Sequence, residues 1–139
     1  MPAMTVELRS IPETEATVAW AGGHTIVVDR PEGKAGGMGL GFNGGQLLGL
    51  ALGGCFCNDL HYVAHEQGVH LTSLLVTVTV QFEGAPLLAT NAAIDVDATA
   101  SDPAADLASV IQRAREISAV SNSVQRGFPV ELKSGSRST

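Results

Sequence analysis

The chain has 139 residues, room for one domain of residues 1–139 and no second catalytic one, and its net charge of −6 at a pI near 5.0 repels phosphate backbones and anionic membrane surfaces, which argues against nucleic acid as a partner. Hydrophobic residues make up 45% against 16% charged, below the ~25% charged residues of an average soluble domain, so the apolar side chains require a large core or a covering partner chain. The longest run of apolar residues and glycine, Leu47 to Cys57, falls short of the ~20 residues a bilayer demands, and no basic-then-apolar leader precedes it, so the expectation is a cytoplasmic protein that does not span a membrane.

Thr5 to Ile11 and Ala16 to Trp20 read as short β-segments, and Trp20-Ala21-Gly22-Gly23-His24 supplies a turn into the apolar run Thr25 to Val28, giving a β-hairpin. Pro31 to Gly45 holds seven glycines, a density whose entropic cost rules out a regular element and predicts a loop. Gln46 to Gln67 reads as one long helix closed by Gly68. Leu47, Leu48, Leu50, Ala51, Leu52 and Phe56 lie all round its first half, which is therefore expected at the centre of the fold. Asn58, Asp59, His61, His65 and Glu66 make the second half amphipathic.

Val69 to Phe82 alternates Val76, Val78 and Val80 with Thr77, Thr79 and Gln81, the pattern of a half-buried strand. Glu83 to Pro86 turns it into Leu87 to Ala98, where Ile94 and Val96 alternate with Asp95 and Asp97. Ser101-Asp102-Pro103 reads as a helix start, followed by the apolar stripe Leu107, Val110, Ile111, Ala114 and Ile117. A short helix from Ser118 to Gln125, a stop at Gly127, a final strand from Phe128 to Leu132 and a frayed tail from Ser134 to Thr139 complete the chain. Strands grouped in hairpins with helices between them predict an α+β fold with antiparallel sheets and a long buried central helix.

Chemistry converges on the two cysteines. Cys55 follows Gly53-Gly54 inside the long helix, where it serves either as a thiol nucleophile or as a small packed hydrophobe. Cys57 points about 200° away around the helix, so an internal 55–57 disulfide is not expected. Cys57, His61 and His65 fall on one helical face, which reads either as a polar surface or as part of a metal site completed from elsewhere; no metal or cofactor is assigned. Gly39-Leu40-Gly41-Phe42-Asn43-Gly44 matches the text of a dinucleotide-binding turn, but no strand runs straight into its first glycine and no acidic residue follows at the required distance.

The run Asn43-Gly44-Gly45-Gln46-Leu47-Leu48-Gly49-Leu50-Ala51-Leu52-Gly53-Gly54-Cys55-Phe56, then Gly68-Val69-His70-Leu71, then Ile117-Ser118-Ala119-Val120-Ser121-Asn122-Ser123-Val124, resembles the OsmC/Ohr superfamily of osmotically inducible and organic hydroperoxide resistance proteins. The resemblance extends from about Trp20 to Leu132 and implies an intertwined homodimer. It also implies thiol-dependent reduction of organic hydroperoxides in oxidative-stress defence, with Cys55 as the peroxidatic nucleophile and an external thiol as reductant. The family's resolving cysteine falls on Ser118 and its helix-start glutamate on Gly45. Its activating arginine belongs to the N-terminal hairpin region, where Gly22-Gly23-His24 offers none and Arg30 is not assigned the role. The implied catalytic set is incomplete, and a weak or altered activity is expected, with Cys57 as a secondary thiol. The alternative from a different class is a non-enzymatic protein of the same fold that binds an apolar small molecule at its dimer interface.

Overall fold

Three short strands form at the start of the chain: β1 (Glu7–Ser10), β2 (Thr17–Ala21) and β3 (His24–Val28). They pair antiparallel in the order β1-β2-β3, with Leu8 opposite Ala19 and Ala19 opposite Ile26. The N-terminal region is thus a three-stranded meander, one pairing richer than the expected hairpin. The helix α1 (Gly44–Gln67), the strands β4 (Leu71–Glu83) and β5 (Leu88–Ala100), and the helices α2 (Leu107–Ile117) and α3 (Ala119–Arg126) follow. Together they are the α+β arrangement of antiparallel sheets and one long helix that the sequence predicts. This computed structural model describes residues 2–133, so the tail from Ser134 to Thr139 lies outside the described residues.

The chain packs as two compact units. The first comprises the chain up to Leu50 with Val78–Ala93. In it the glycine-rich segment is a hydrogen-bonded loop built on Asp29. The buried Asp29 carboxylate accepts from the backbone N–H of Met38 and of Leu40, each at 3.0 Å, and from that of Arg30 at 2.7 Å. Phe42 N–H donates to Val27 O at 2.9 Å and Asp29 N–H to Phe42 O at 3.0 Å, laying the end of the loop along β3. The chain at Gly41 runs so close to Val27 that any Cβ there would overlap the Val27 carbonyl, which explains glycine at this position.

A reciprocal cap then starts α1 two residues earlier than expected. Gln46 N–H donates to Asn43 Oδ1 at 2.9 Å and Asn43 N–H donates to Gln46 Oε1 at 3.0 Å. This capping box satisfies two free donors and holds Gly44 and Gly45 in a first turn they would not form by propensity.

The second unit comprises Ala51–Thr77 and the chain from Ile94 onward. Its core joins Phe56, Leu60, Val63 and Ala64 of α1 to Val110 and Ala114 of α2, flanked by Leu71, Leu74, Val76, Ile94, Val96 and Ile111. Burying a side chain such as Leu60 or Val63 is worth about 1.5–3 kcal/mol. Val76 and Ile94 face inward while Thr77 and Asp95 stay exposed, confirming the period-two reading of the hairpin. Thr72 bonds Thr99 at 2.7 Å across β4 and β5 in this unit, and in the first unit Thr90 of β5 donates to Gln81 O of β4 at 3.4 Å, the same antiparallel register.

Four expectations are corrected. The leucine-rich first half of α1 is core only in part: Leu52 and Phe56 are buried, but Leu47 and Leu48 are half-buried and Leu50 is exposed, and the stripe that packs on α2 runs from Phe56 through the second half. Leucines spread round the whole circumference cannot all be covered by one neighbouring element. Asp59, read as part of a solvated face, is buried. The helix start placed at Ser101 moves to α2, where Asp106 Oδ1 accepts from Ser109 N–H at 3.0 Å; Asp102 instead closes a tight turn through Ala104 N–H at 2.9 Å. Residues Phe128 to Leu132 are not a strand. A strand requires an edge to take up its N–H and C=O groups, and among the described residues none pairs with this segment. By length and composition alone α1 would also suit a membrane span, and it packs Phe56, Leu60, Val63 and Ala64 into the core of the second unit.

Two predictions follow from the loop and the helix. Replacing Gly41→Ala forces the loop off β3 and should cost about 1–3 kcal/mol in chemical denaturation, while Gly54→Ala, where a Cβ meets nothing within 4 Å, should gain about 0.5–1 kcal/mol. Equal effects would show that the close approach at Gly41 is not what selects glycine. The bonds from Leu40, Met38 and Arg30 N–H, aided by the Arg30 charge, hold the Asp29 carboxyl below its ordinary value. The folded chain therefore binds that proton less tightly than the unfolded one, so the stabilisation is present above about pH 4 and is lost as pH falls further. Urea unfolding at about pH 6 and about pH 3 should show a smaller acid loss in Asp29→Asn than in the wild type; parallel losses would remove Asp29 from the acid response.

Candidate functional site

The site is assembled inside the second unit by two helices. Val110 and Ala114 sit one turn apart on the buried stripe of α2, and Ser118 follows one further turn on, where α2 ends. Continuing that stripe takes Ser118 to full burial, at 0% exposure. Its backbone is extended, with φ −65° and ψ 106°, so the residue closes α2 and opens α3 at once. Asn122 secures the junction: its N–H donates to Ser118 O at 3.0 Å and its side-chain amide donates to Glu116 O at 3.0 Å. A serine at the start of a helix ordinarily turns its hydroxyl back to the backbone. Here no side-chain cap forms, and the Ser118 hydroxyl donates to Cys55 Sγ at 3.8 Å.

Cys55 itself is half-buried on α1, beside the core residue Phe56. One helical turn on, Asp59 presents its carboxylate to the same sulfur, and the Cys55 S–H donates to Asp59 Oδ2 at 3.6 Å. The result is a chain of polar contacts from Ser118 Oγ through Cys55 Sγ to Asp59 Oδ2, set at the edge of an apolar core. It can hold a thiol in one orientation, donate a hydrogen bond to a sulfur that has lost its proton, and receive that proton on a carboxylate.

Of the residues singled out in the sequence, Cys55 and Ser118 are brought together. Cys57 is not part of this group: it is half-buried and free, and burial alone pushes its thiol above the ordinary value. His61 and His65 are exposed, and no group of three or more metal-ligating side chains occurs among the described residues. Arg30 is engaged within its own unit, where its guanidinium donates to Glu15 O and pairs with Asp29 Oδ1 at 3.4 Å. Gly45, where the family resemblance places a glutamate, faces Phe82: a Cβ there would lie 3.0 Å from the ring. The textual match to a nucleotide-binding turn has a local explanation, because amides of that loop are occupied by Asp29. Asp59 is the partner of Cys55 that sequence reading missed. Its signal was the four-residue spacing from Cys55 along a helix.

The family model described as OsmC-like protein matches residues 36–133. A search of curated proteins gives no match. Among solved structures the chain is similar to an OsmC-like protein of unknown function from Vibrio cholerae, with TM-score 0.76 and 13% identity over 90% of this chain and 95% of that one. It is similar also to an OsmC-like protein from Mycoplasma pneumoniae, with TM-score 0.73 and 16% identity over 89% and 88%. A third is a Legionella pneumophila protein named organic hydroperoxide resistance protein OsmC, with TM-score 0.61 and 18% identity over 90% of each chain. At these identities the likenesses establish the fold.

The raised Cys57 thiol carries a prediction. In a Cys55→Ser background, alkylation of Cys57 by iodoacetamide should be slower than that of free cysteine at neutral pH and should reach its plateau at a higher pH, since the thiolate is the reacting form. Rapid labelling at neutral pH would contradict the burial of this sulfur.

Proposed function

The chain belongs to the OsmC-like family, and from that premise we propose that it reduces organic hydroperoxides with Cys55 as the nucleophile and an external thiol as the returning reductant. One observation carries the reading: the family's reactive position holds a half-buried thiol whose sulfur meets the hydroxyl of Ser118, the residue on the resolving position, at 3.8 Å. The sulfur attacks the peroxide, the O–O bond breaks, and Cys55 becomes a sulfenic acid. Serine cannot close a disulfide on that sulfenic acid, so regeneration passes to a thiol from outside the chain, first as a mixed disulfide and then as free Cys55. Cys57 is the secondary thiol of this scheme and stays outside its main path. No cofactor enters it.

The proposal places the protein in the cytoplasm as a single domain that works as a homodimer. Supporting the dimer are large apolar side chains that one chain leaves uncovered, with Leu75, Leu87 and Leu88 on the β4–β5 hairpin 63%, 67% and 64% exposed. The absence of a glutamate at Gly45 and of a second cysteine at Ser118 favours a second reading, an OsmC-fold protein that binds an apolar small molecule without turning it over.

Steady-state consumption of cumene hydroperoxide separates the two. With dithiothreitol or a dihydrolipoyl-type dithiol present, the wild type and Cys57→Ser should consume peroxide at rates within about threefold of each other. Cys55→Ser should fall to the uncatalysed rate, a loss of at least about a hundredfold. Absence of consumption by the wild type, with Cys55 still reduced afterwards, would overturn the enzymatic reading in favour of the binding one.

A further inference from the structure

Resting on the peroxide-reducing reading, we propose that Asp59 is a catalytic residue of the same site: the base that takes the Cys55 proton and returns it to the leaving group. Three features of the geometry carry this. Asp59 is a buried residue, 9% exposed, in a stretch of α1 that otherwise feeds an apolar core, and the hydrogen bond its carboxylate makes is to the Cys55 thiol. A buried carboxylate is costly without a polar partner, so its position toward the sulfur serves either that thiol or the chemistry the thiol performs. It lies at 3.6 Å, one turn along the same helix, so the two side chains are held in register by backbone hydrogen bonds instead of by a loop. From the other side, Ser118 is already a donor to the sulfur, which leaves Asp59 the acceptor for the S–H proton.

The step balances without any further reactant. The Cys55 sulfur attacks the terminal peroxide oxygen, an S–O bond forms and the O–O bond breaks. Sulfur is oxidised by two electrons to the sulfenic acid, and the peroxide is reduced to an alcohol. The thiol proton passes to Asp59 Oδ2 as sulfur attacks, and from there to the departing alkoxide, so that a thiol and a hydroperoxide yield a sulfenic acid and an alcohol with every proton accounted for. The Ser118 hydroxyl steadies the sulfur as its proton leaves.

The test measures single-turnover oxidation of Cys55 by cumene hydroperoxide in a Cys57→Ser background, alongside alkylation of Cys55 by iodoacetamide near pH 9, where ordinary thiols react without help. General-base assistance is worth about 10²–10⁴-fold, so Asp59→Asn and Asp59→Ala should lower the oxidation rate by at least about a hundredfold while alkylation stays within about threefold of the wild type. Added formate should restore part of the oxidation rate in Asp59→Ala and leave Asp59→Asn unchanged, a response that a merely structural carboxylate would not give. Oxidation of Asp59→Asn within about threefold of the parent would overturn the assignment while leaving the peroxide reading intact. Equal losses in oxidation and alkylation would also overturn it, making Asp59 a packing residue. A parent that is alkylated but never oxidised by the hydroperoxide would overturn both.

Discussion

A sulfur in the middle of a helix can gain polar partners from only two places: one turn away on its own helix, or from an element that crosses its face. Cys55 has one of each, Asp59 along α1 and Ser118 at the end of α2. The rest of the second unit follows from keeping these three together. Phe56, Leu60, Val63 and Ala64 must pack on Val110 and Ala114 to bring the end of α2 onto α1, and the Asn122 bonds must hold the break between α2 and α3 so that the Ser118 hydroxyl is left free to face the sulfur. The hydrophobic core and the polar contacts are two consequences of one helix pairing.

The first unit is organised by a different constraint. The loop between Pro31 and Asn43 holds five glycines and a correspondingly high backbone entropy, and a buried anion gathers several of its amides. The anion is the chain's own Asp29, which collects the amides of Arg30, Met38 and Leu40. The loop therefore resembles a phosphate-binding turn in text, while the donors at Met38 and Leu40 are already satisfied by a carboxylate. Asn43 and Gln46 complete the handover into α1 by capping one another, so a helix that opens with two glycines still begins at Gly44.

Much of this was legible in the residues. The period-two alternation of Val76 to Gln81 and of Ile94 to Asp97 located the hairpin, the stripe Val110 to Ala114 located α2, and the runs around Cys55 and Ser118 pointed to the family and to two candidate residues that the fold brings into contact. What escaped is as instructive. Leu47, Leu48 and Leu50 looked like core by the same hydropathy as Leu52, yet only Leu52 is buried, because burial depends on which side of a helix a neighbour covers and hydropathy alone carries no such information. Asp59 looked like surface because it is charged, while its four-residue spacing from Cys55 held the opposite message. Phe128, Val130 and Leu132 alternate as a strand should, yet alternation specifies a face and cannot supply the edge a strand must pair with.

The proposed reaction requires Cys55 to become a sulfenic acid when it meets an organic hydroperoxide. Exposure of the wild-type protein to one equivalent of cumene hydroperoxide in the presence of dimedone, followed by peptide mass spectrometry, asks this directly because dimedone captures sulfenic acid and leaves thiols and disulfides unmodified. A dimedone adduct is expected on Cys55 and none on Cys57. An unmodified Cys55 thiol, or an adduct confined to Cys57, would contradict the proposed reaction.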